Sequence, residues 1–202
     1  MRDQTRMLPL TALLAALTAV GAFLRIPLGS MSLTLQFFFT ALAGVLLGPK
    51  WGAASQAAYV ALGLAGLPIF TLGGGLGYIL QPSFGFLVGL IPAAALIGAL
   101  TRGRPGTARV VLASTAGLGV LYLVGLPYLY LIQNAYLGRG LSWPVVVWTG
   151  MLVYLPGDAL KIAALAVVCR PLRRALGGGK GGRAMGGGGS PLRPHRAPRV
   201  TP

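Results

Sequence analysis

Glutamate is absent from this chain of 202 residues, and aspartate occurs only as Asp3 and Asp158. There is one histidine, His195, and one cysteine, Cys169. Charged residues make up 9% of the chain, against about 25% in an ordinary soluble domain. These shortages exclude whole classes of chemistry. A lone cysteine leaves no disulfide within the chain, and with a lone histidine no His/Cys zinc site assembles. Paired-carboxylate catalysis would require Asp3, at the start of the chain, to meet Asp158 deep in an apolar segment. No G-x-x-x-x-G-K-[ST] motif occurs, since Gly179-Lys180 is followed by Gly181, so the chain carries no P-loop for ATP. Too few charges remain to cover a water-soluble surface. The net charge of +15 is largely a property of residues 170–202, which hold eight of the 17 basic groups, and is no footprint for nucleic acid.

What the sequence does contain is hydrophobic length. Uncharged runs cover residues 8–24, 26–49, 51–101 and 110–138, and 140–169 is broken only by Asp158 and Lys161. A membrane helix needs about 20 apolar residues. The 51–101 run is too long for one helix, and its centre, Gly66-Leu-Pro-Ile-Phe-Thr-Leu-Gly-Gly-Gly-Leu-Gly77, is rich in helix breakers. Splitting it gives an all-α integral membrane protein with six transmembrane helices, near 8–24, 34–48, 51–66, 78–101, 110–132 and 144–170. The second and third are short, which predicts tilt or shelter against neighbours. The first matches the charged and apolar regions of a signal peptide, but its 17-residue run exceeds the usual apolar length, so a retained helix is expected.

Six spans put both termini on one side. Arg2, Arg6, Lys50, Arg102, Arg104, Arg109, Arg170, Arg173 and Arg174 then share that side, against Arg25 and Arg139 on the other. The positive-inside rule makes both termini cytoplasmic, with outer connections at 25–33, 67–77 and 133–144 lying over an outward pocket. Residues 175–202 read as a disordered, basic, Gly/Pro-rich cytoplasmic tail, either an anchor for anionic lipid or a solvated extension.

The segment Tyr154-Leu-Pro-Gly-Asp158-Ala-Leu-Lys161 carries the chemistry. Asp158 and Lys161, three residues apart, share a helix face, and each costs about 2.5–3.5 kcal/mol at a bilayer centre. Lys161 offers donors to an anionic group, and Asp158 accepts from N–H or O–H donors or holds the lysine in place. A purely structural pair is the alternative. Pro156-Gly157 is expected to loosen the helix there. Gln36 and Gln81, at the outer starts of two helices, either read an amide or urea group or join helices. Tyr78, Phe84, Phe86, Trp143, Trp148 and Tyr154 are candidate pocket walls or interfacial aromatics. Ala12 and Ala16, like Ala15 and Ala19, stand four apart on a helix face, spacing that admits a close neighbour from within the bundle or from a partner.

Three passages together resemble the BioY family, the biotin-binding S components of energy-coupling factor (ECF) transporters. They are Leu33-Thr-Leu-Gln36 with the apolar run ending Leu47-Gly-Pro-Lys50; Gly63-Leu-Ala-Gly-Leu-Pro-Ile-Phe70 through Gly73-Gly-Gly-Leu-Gly-Tyr78; and Leu155-Pro-Gly-Asp158-Ala-Leu-Lys161. The resemblance covers about residues 8–174. It implies an S-component-like bundle, biotin as substrate captured on the extracytoplasmic side, no cofactor, and partners in a membrane coupling subunit and ATPase subunits that use the ATP. It further implies that Asp158 and Lys161 are the acidic and basic ligands of a Pro-Gly-Asp-x-x-Lys motif, that Gly77-Tyr78 belongs to a loop closing over the vitamin, and that Ala12, Ala15, Ala16 and Ala19 dock the coupling subunit. Where the family reads Gly-Pro-Thr-Gly-Gly-Tyr, this chain has Gln81-Pro-Ser-Phe-Gly-Phe86. A pocket hydroxyl is thereby lost at Phe86, leaving Gln81 or Tyr78 to compensate. An S component for another vitamin, or a membrane scaffold, are the alternative readings.

Overall fold

A computed structural model describes the backbone of residues 2–28, 31–103 and 105–177, and side chains from 7 to 172 apart from 27–31, 104 and 170. The tail beyond 177 lies outside the described residues. So do Arg104 and the side chains of Arg2, Arg6, Arg170, Arg173 and Arg174.

The helices are α1 (Arg2–Phe23), α2 (Gln36–Leu64), α3 (Phe84–Leu100), α4 (Thr107–Leu131), α5 (Trp143–Val147) and α6 (Leu155–Gly177). All-helical was the expectation, but the first outer connection forms a hairpin of β1 (Arg25–Leu28) and β2 (Met31–Thr34), antiparallel with Arg25 opposite Thr34. Extended pairing satisfies the backbone groups of a segment that Pro27 keeps from being helical. The second connection contains a 3-10 turn at Leu76–Leu80, so α3 begins at Phe84 and not at Tyr78. The segment expected as one helix over 144–170 is three pieces: α5, a wide π turn at Trp148–Leu152, and α6, which runs on to Gly177. Another π turn, Ile132–Tyr136, ends α4.

The apparent 29 residues of α2 are a folded-back pair. Gly48 has φ 79° and ψ −175°, a conformation essentially reserved for glycine, and Pro49 follows. In a straight helix Gln36 and Tyr59 would be about 35 Å apart, yet the Gln36 amide donates to the Tyr59 hydroxyl at 2.9 Å. Thr40 donates to Gln56 Oε1 at 3.0 Å. The break falls where the sequence separates the second and third expected spans. Thr107–Tyr136 and Trp143–Cys169 are long and apolar enough to cross a bilayer, and Met7–Phe23 and Phe84–Leu100 are shorter apolar helices. Gln36–Leu64 passes the same test by length and composition, but its two legs run side by side.

α2 lies at the centre, packed on α1 and α3, with α4 on the far side of α3 and α6 against both α2 and α4. Buried polar side chains tie α1 to α2: Gln56 Nε2 donates to Thr18 Oγ1 at 3.3 Å, and all of Thr18, Thr40, Ser55 and Gln56 are fully buried. Between apolar helices in lipid, where hydrophobicity gives no preference for helix over lipid, such bonds and close packing hold the bundle.

Candidate functional site

One end of the bundle encloses a cavity of about 330 Å³, within the range of small-molecule sites. Its floor comes from α6 and α4. Asp158 stands in the first turn of α6, where the helix N-terminus favours a carboxylate. Lys161 lies one turn on and donates to Asp158 Oδ1 at 2.6 Å. Tyr122, from α4, donates its hydroxyl to the other carboxylate oxygen at 2.5 Å. The three are 5%, 8% and 7% exposed. A buried ion pair persists only with good geometry and further hydrogen bonds, and Tyr122 supplies one of these.

Pro156 does not loosen a continuous helix as expected. It occupies the second position of α6, where a missing N–H costs nothing. Gly157 serves packing: a Cβ there would stand 2.7 Å from Leu33 Cδ2, so its absence lets Leu33 of β2 rest on α6.

The walls are apolar, with Phe37 from α2, Phe86, Leu87 and Leu90 from α3, and Leu121 from α4. Phe86 meets Tyr122 edge-on, their ring centroids 6.2 Å apart. The roof is made by the β hairpin and the 67–80 connection, through Arg25, Ser32, Leu33, Thr34, Thr71, Leu72 and Tyr78. An aromatic stack of Tyr59, Phe70 and Tyr78 holds that connection, with centroids 5.5 and 4.6 Å apart. The Tyr59 hydroxyl donates to the Ile69 carbonyl at 3.1 Å, and Arg25 Nη1 donates to the Thr71 carbonyl at 2.6 Å.

Of the residues singled out in the sequence, Asp158, Lys161, Tyr78, Gln36 and Phe86 line the cavity together, as does Tyr154. Gln36 is held from both ends, accepting from Thr34 at 2.9 Å while donating to Tyr59. Gln81 and Gly77 are not among the lining residues. Gln81 follows the 3-10 turn, and its backbone N–H caps Tyr78. Phe84 packs on Tyr128 instead, and Trp143 and Trp148 are exposed. The alanine stripe divides: Ala15 is buried and Ala19 half-buried, while Ala12 and Ala16 are exposed. The hydroxyl beside Asp158 belongs to Tyr122, which sequence reasoning missed along with Arg25 and Thr34 as lining groups. A tyrosine inside an apolar span reads like an interfacial aromatic, and only tertiary packing aims it at the carboxylate. No cluster of three His, Cys, Asp or Glu is found among the described residues.

The fold and site define a polytopic helical membrane protein with an apolar-walled ligand cavity, closed at its floor by a buried ion pair and roofed by ordered loops. The profile of the BioY family matches residues 1–178, and the chain belongs to that family. A probable biotin transporter BioY of Lysinibacillus sphaericus is 41% identical over 177 residues, covering 87% of this chain and 90% of that protein. A probable biotin transporter BioY of Pyrococcus horikoshii is 36% identical over 165 residues, covering 81% and 94%. Among solved structures, the S-component for biotin from an ECF-type ABC transporter superposes with a TM-score of 0.75 at 28% identity, covering 86% of this chain and 93% of that one.

Proposed function

We propose that this chain is the substrate-binding membrane subunit of a biotin uptake system, and that the cavity is where biotin sits. The observation that carries this reading is the buried trio of Asp158, Lys161 and Tyr122 beneath apolar walls. Biotin's ureido group is neutral, with two N–H donors and one carbonyl acceptor. Each Asp158 oxygen has a lone pair left for an N–H, and Lys161 keeps two unused donors for the carbonyl. The sulfur-containing ring then lies against Phe86, Leu87 and Leu90.

In this reading the helical legs span the membrane six times, with both termini cytoplasmic and the roof facing outward. The chain itself contributes binding of the substrate, and it carries no P-loop for ATP. Inward release requires a separate coupling subunit and ATPase subunits. The exposed Ala12 and Ala16 present a close-approach face on α1 for the coupling subunit, whereas Ala15 and Ala19 serve the bundle's own packing. Gly77 and Gln81 contribute by shaping the loop that carries Tyr78.

Equilibrium binding to the purified chain with biotin, riboflavin, thiamine and folate tests the assignment. Saturable binding of biotin alone at micromolar concentration, weakened at least tenfold by Asp158→Asn, is expected. No response to biotin, or full affinity in Asp158→Asn, refutes it.

A further inference from the structure

Among the described residues, three charged side chains line the cavity: Asp158, Lys161 and Arg25. The first two neutralise one another at 2.6 Å, which leaves the third. The sequence offers only two side-chain carboxylates, and neither serves Arg25. Asp158 is committed to Lys161 and Tyr122 at the floor. Asp3 belongs to the opening turn of α1, whereas Arg25 follows its last, about 30 Å away at 1.5 Å per residue. The mouth of the cavity therefore carries a guanidinium whose counter-charge comes from outside the protein's side chains.

The guanidinium is also held in place. Its Nη1 donates to the Thr71 carbonyl at 2.6 Å, and its backbone pairs with Thr34 in the hairpin. Among the described residues this uses one donor of five, leaving a planar fork suited to a carboxylate. Burial runs the same way as this division of charge. Asp158, Lys161 and Tyr122 are buried at the floor, while Arg25 and Leu72 are exposed at the mouth. The floor is a poor place for an anion, because a ligand carboxylate there would set two buried carboxylates against one ammonium.

We propose that Arg25 receives the carboxylate of the ligand, so that the cavity sorts an amphiphilic acid end for end: neutral polar head at the floor, anionic end at the mouth. This rests on the biotin reading above and adds to it a residue that selects for the free acid.

The test compares biotin with biotinamide, in which an uncharged carboxamide replaces the carboxylate. Wild type, Arg25→Gln and Arg25→Lys are measured in nanodiscs of phosphatidylcholine, with and without phosphatidylglycerol. Wild type is expected to hold biotin about tenfold more tightly than biotinamide, the scale of a charge-assisted contact at a partly exposed site. Arg25→Gln is expected to remove that difference by weakening biotin alone, and Arg25→Lys to keep part of it. Equal weakening of both compounds by Arg25→Gln would show a latch between hairpin and loop, and overturns the proposal. An unchanged ratio, or an effect limited to retention of phosphatidylglycerol, overturns it too. A wild type that binds both compounds equally removes the role of Arg25 and leaves the biotin reading intact. A wild type that binds neither removes the biotin reading itself.

Discussion

Replacing Lys161 with methionine keeps most of the side chain's volume and removes its charge, leaving the Asp158 carboxylate at 5% exposure with Tyr122 as its remaining side-chain partner. At the 2.6 Å separation of the pair, the lost attraction is about 6 kcal/mol at an effective dielectric of about 20. Relaxation around the stranded carboxylate recovers part of this. Breaking a buried pair from one side costs about 3–5 kcal/mol. With about 2–4 °C of midpoint per kcal/mol for a chain of this size, the single variant should unfold roughly 6–20 °C below wild type. The double variant Asp158→Asn with Lys161→Met buries no charge, and should regain most of that loss. Biotin binding should be lost in both variants. The assay is thermal unfolding in detergent followed by fluorescence of Trp51, Trp143 and Trp148, paired with equilibrium binding on the same preparations. A Lys161→Met protein as stable as wild type would refute the energetics. A double variant that binds biotin normally would refute the placement of the ligand at the floor, because the pair would then be structural only.

Two further outcomes follow from the same geometry. Tyr122→Phe removes the second partner of Asp158, and should lower stability by about 1–3 kcal/mol, the cost of an unsatisfied buried acceptor; it should also weaken biotin several-fold, as read by thermal unfolding and titration, and an unchanged affinity would exclude Tyr122 from the site. Ala12→Leu with Ala16→Leu should leave biotin binding intact while abolishing ATP-driven uptake in cells that supply the coupling and ATPase subunits, whereas Ala15→Leu should lower thermal stability; normal uptake in the first variant would show that this face of α1 docks nothing.

The parts legible in the sequence were those where one residue type carries a cost that position must justify. An aspartate and a lysine inside a bilayer-length segment mark a site, and the pair does line the cavity. Lys50, between two apolar runs, separates two expected spans, and the structure turns the chain beside it at Gly48, where glycine accepts φ 79°. Illegible were the features that depend on which way an apolar helix faces. In a soluble helix polar residues mark the outside, but here exposed Leu123 and Leu160 are as apolar as buried Leu121 and Leu165. Nothing in the spacing therefore aims Tyr122 at Asp158 or keeps Trp148 from the cavity. The β hairpin was missed because four-residue strands carry too short an alternation to register. Pro156 was assigned the wrong effect because the wide turn at Trp148–Leu152, which makes it a helix-starting residue, has no sequence signal of its own.

The fold-back of α2 sets how its parts stand or fall together. The legs to either side of Gly48, 36–47 and 49–64, reach about 18 and 24 Å at 1.5 Å per residue, short of a hydrocarbon core of about 30 Å. Each also carries an amide bonded across the fold, Gln36 donating to Tyr59 and Gln56 accepting from Thr40. Pulled apart in lipid, both legs would be too short and each would strand polar groups at several kcal/mol apiece. Within 36–64 the smallest piece that is stable in a bilayer is thus a pair and not a single leg, and Gly48 is the joint that makes the pair possible.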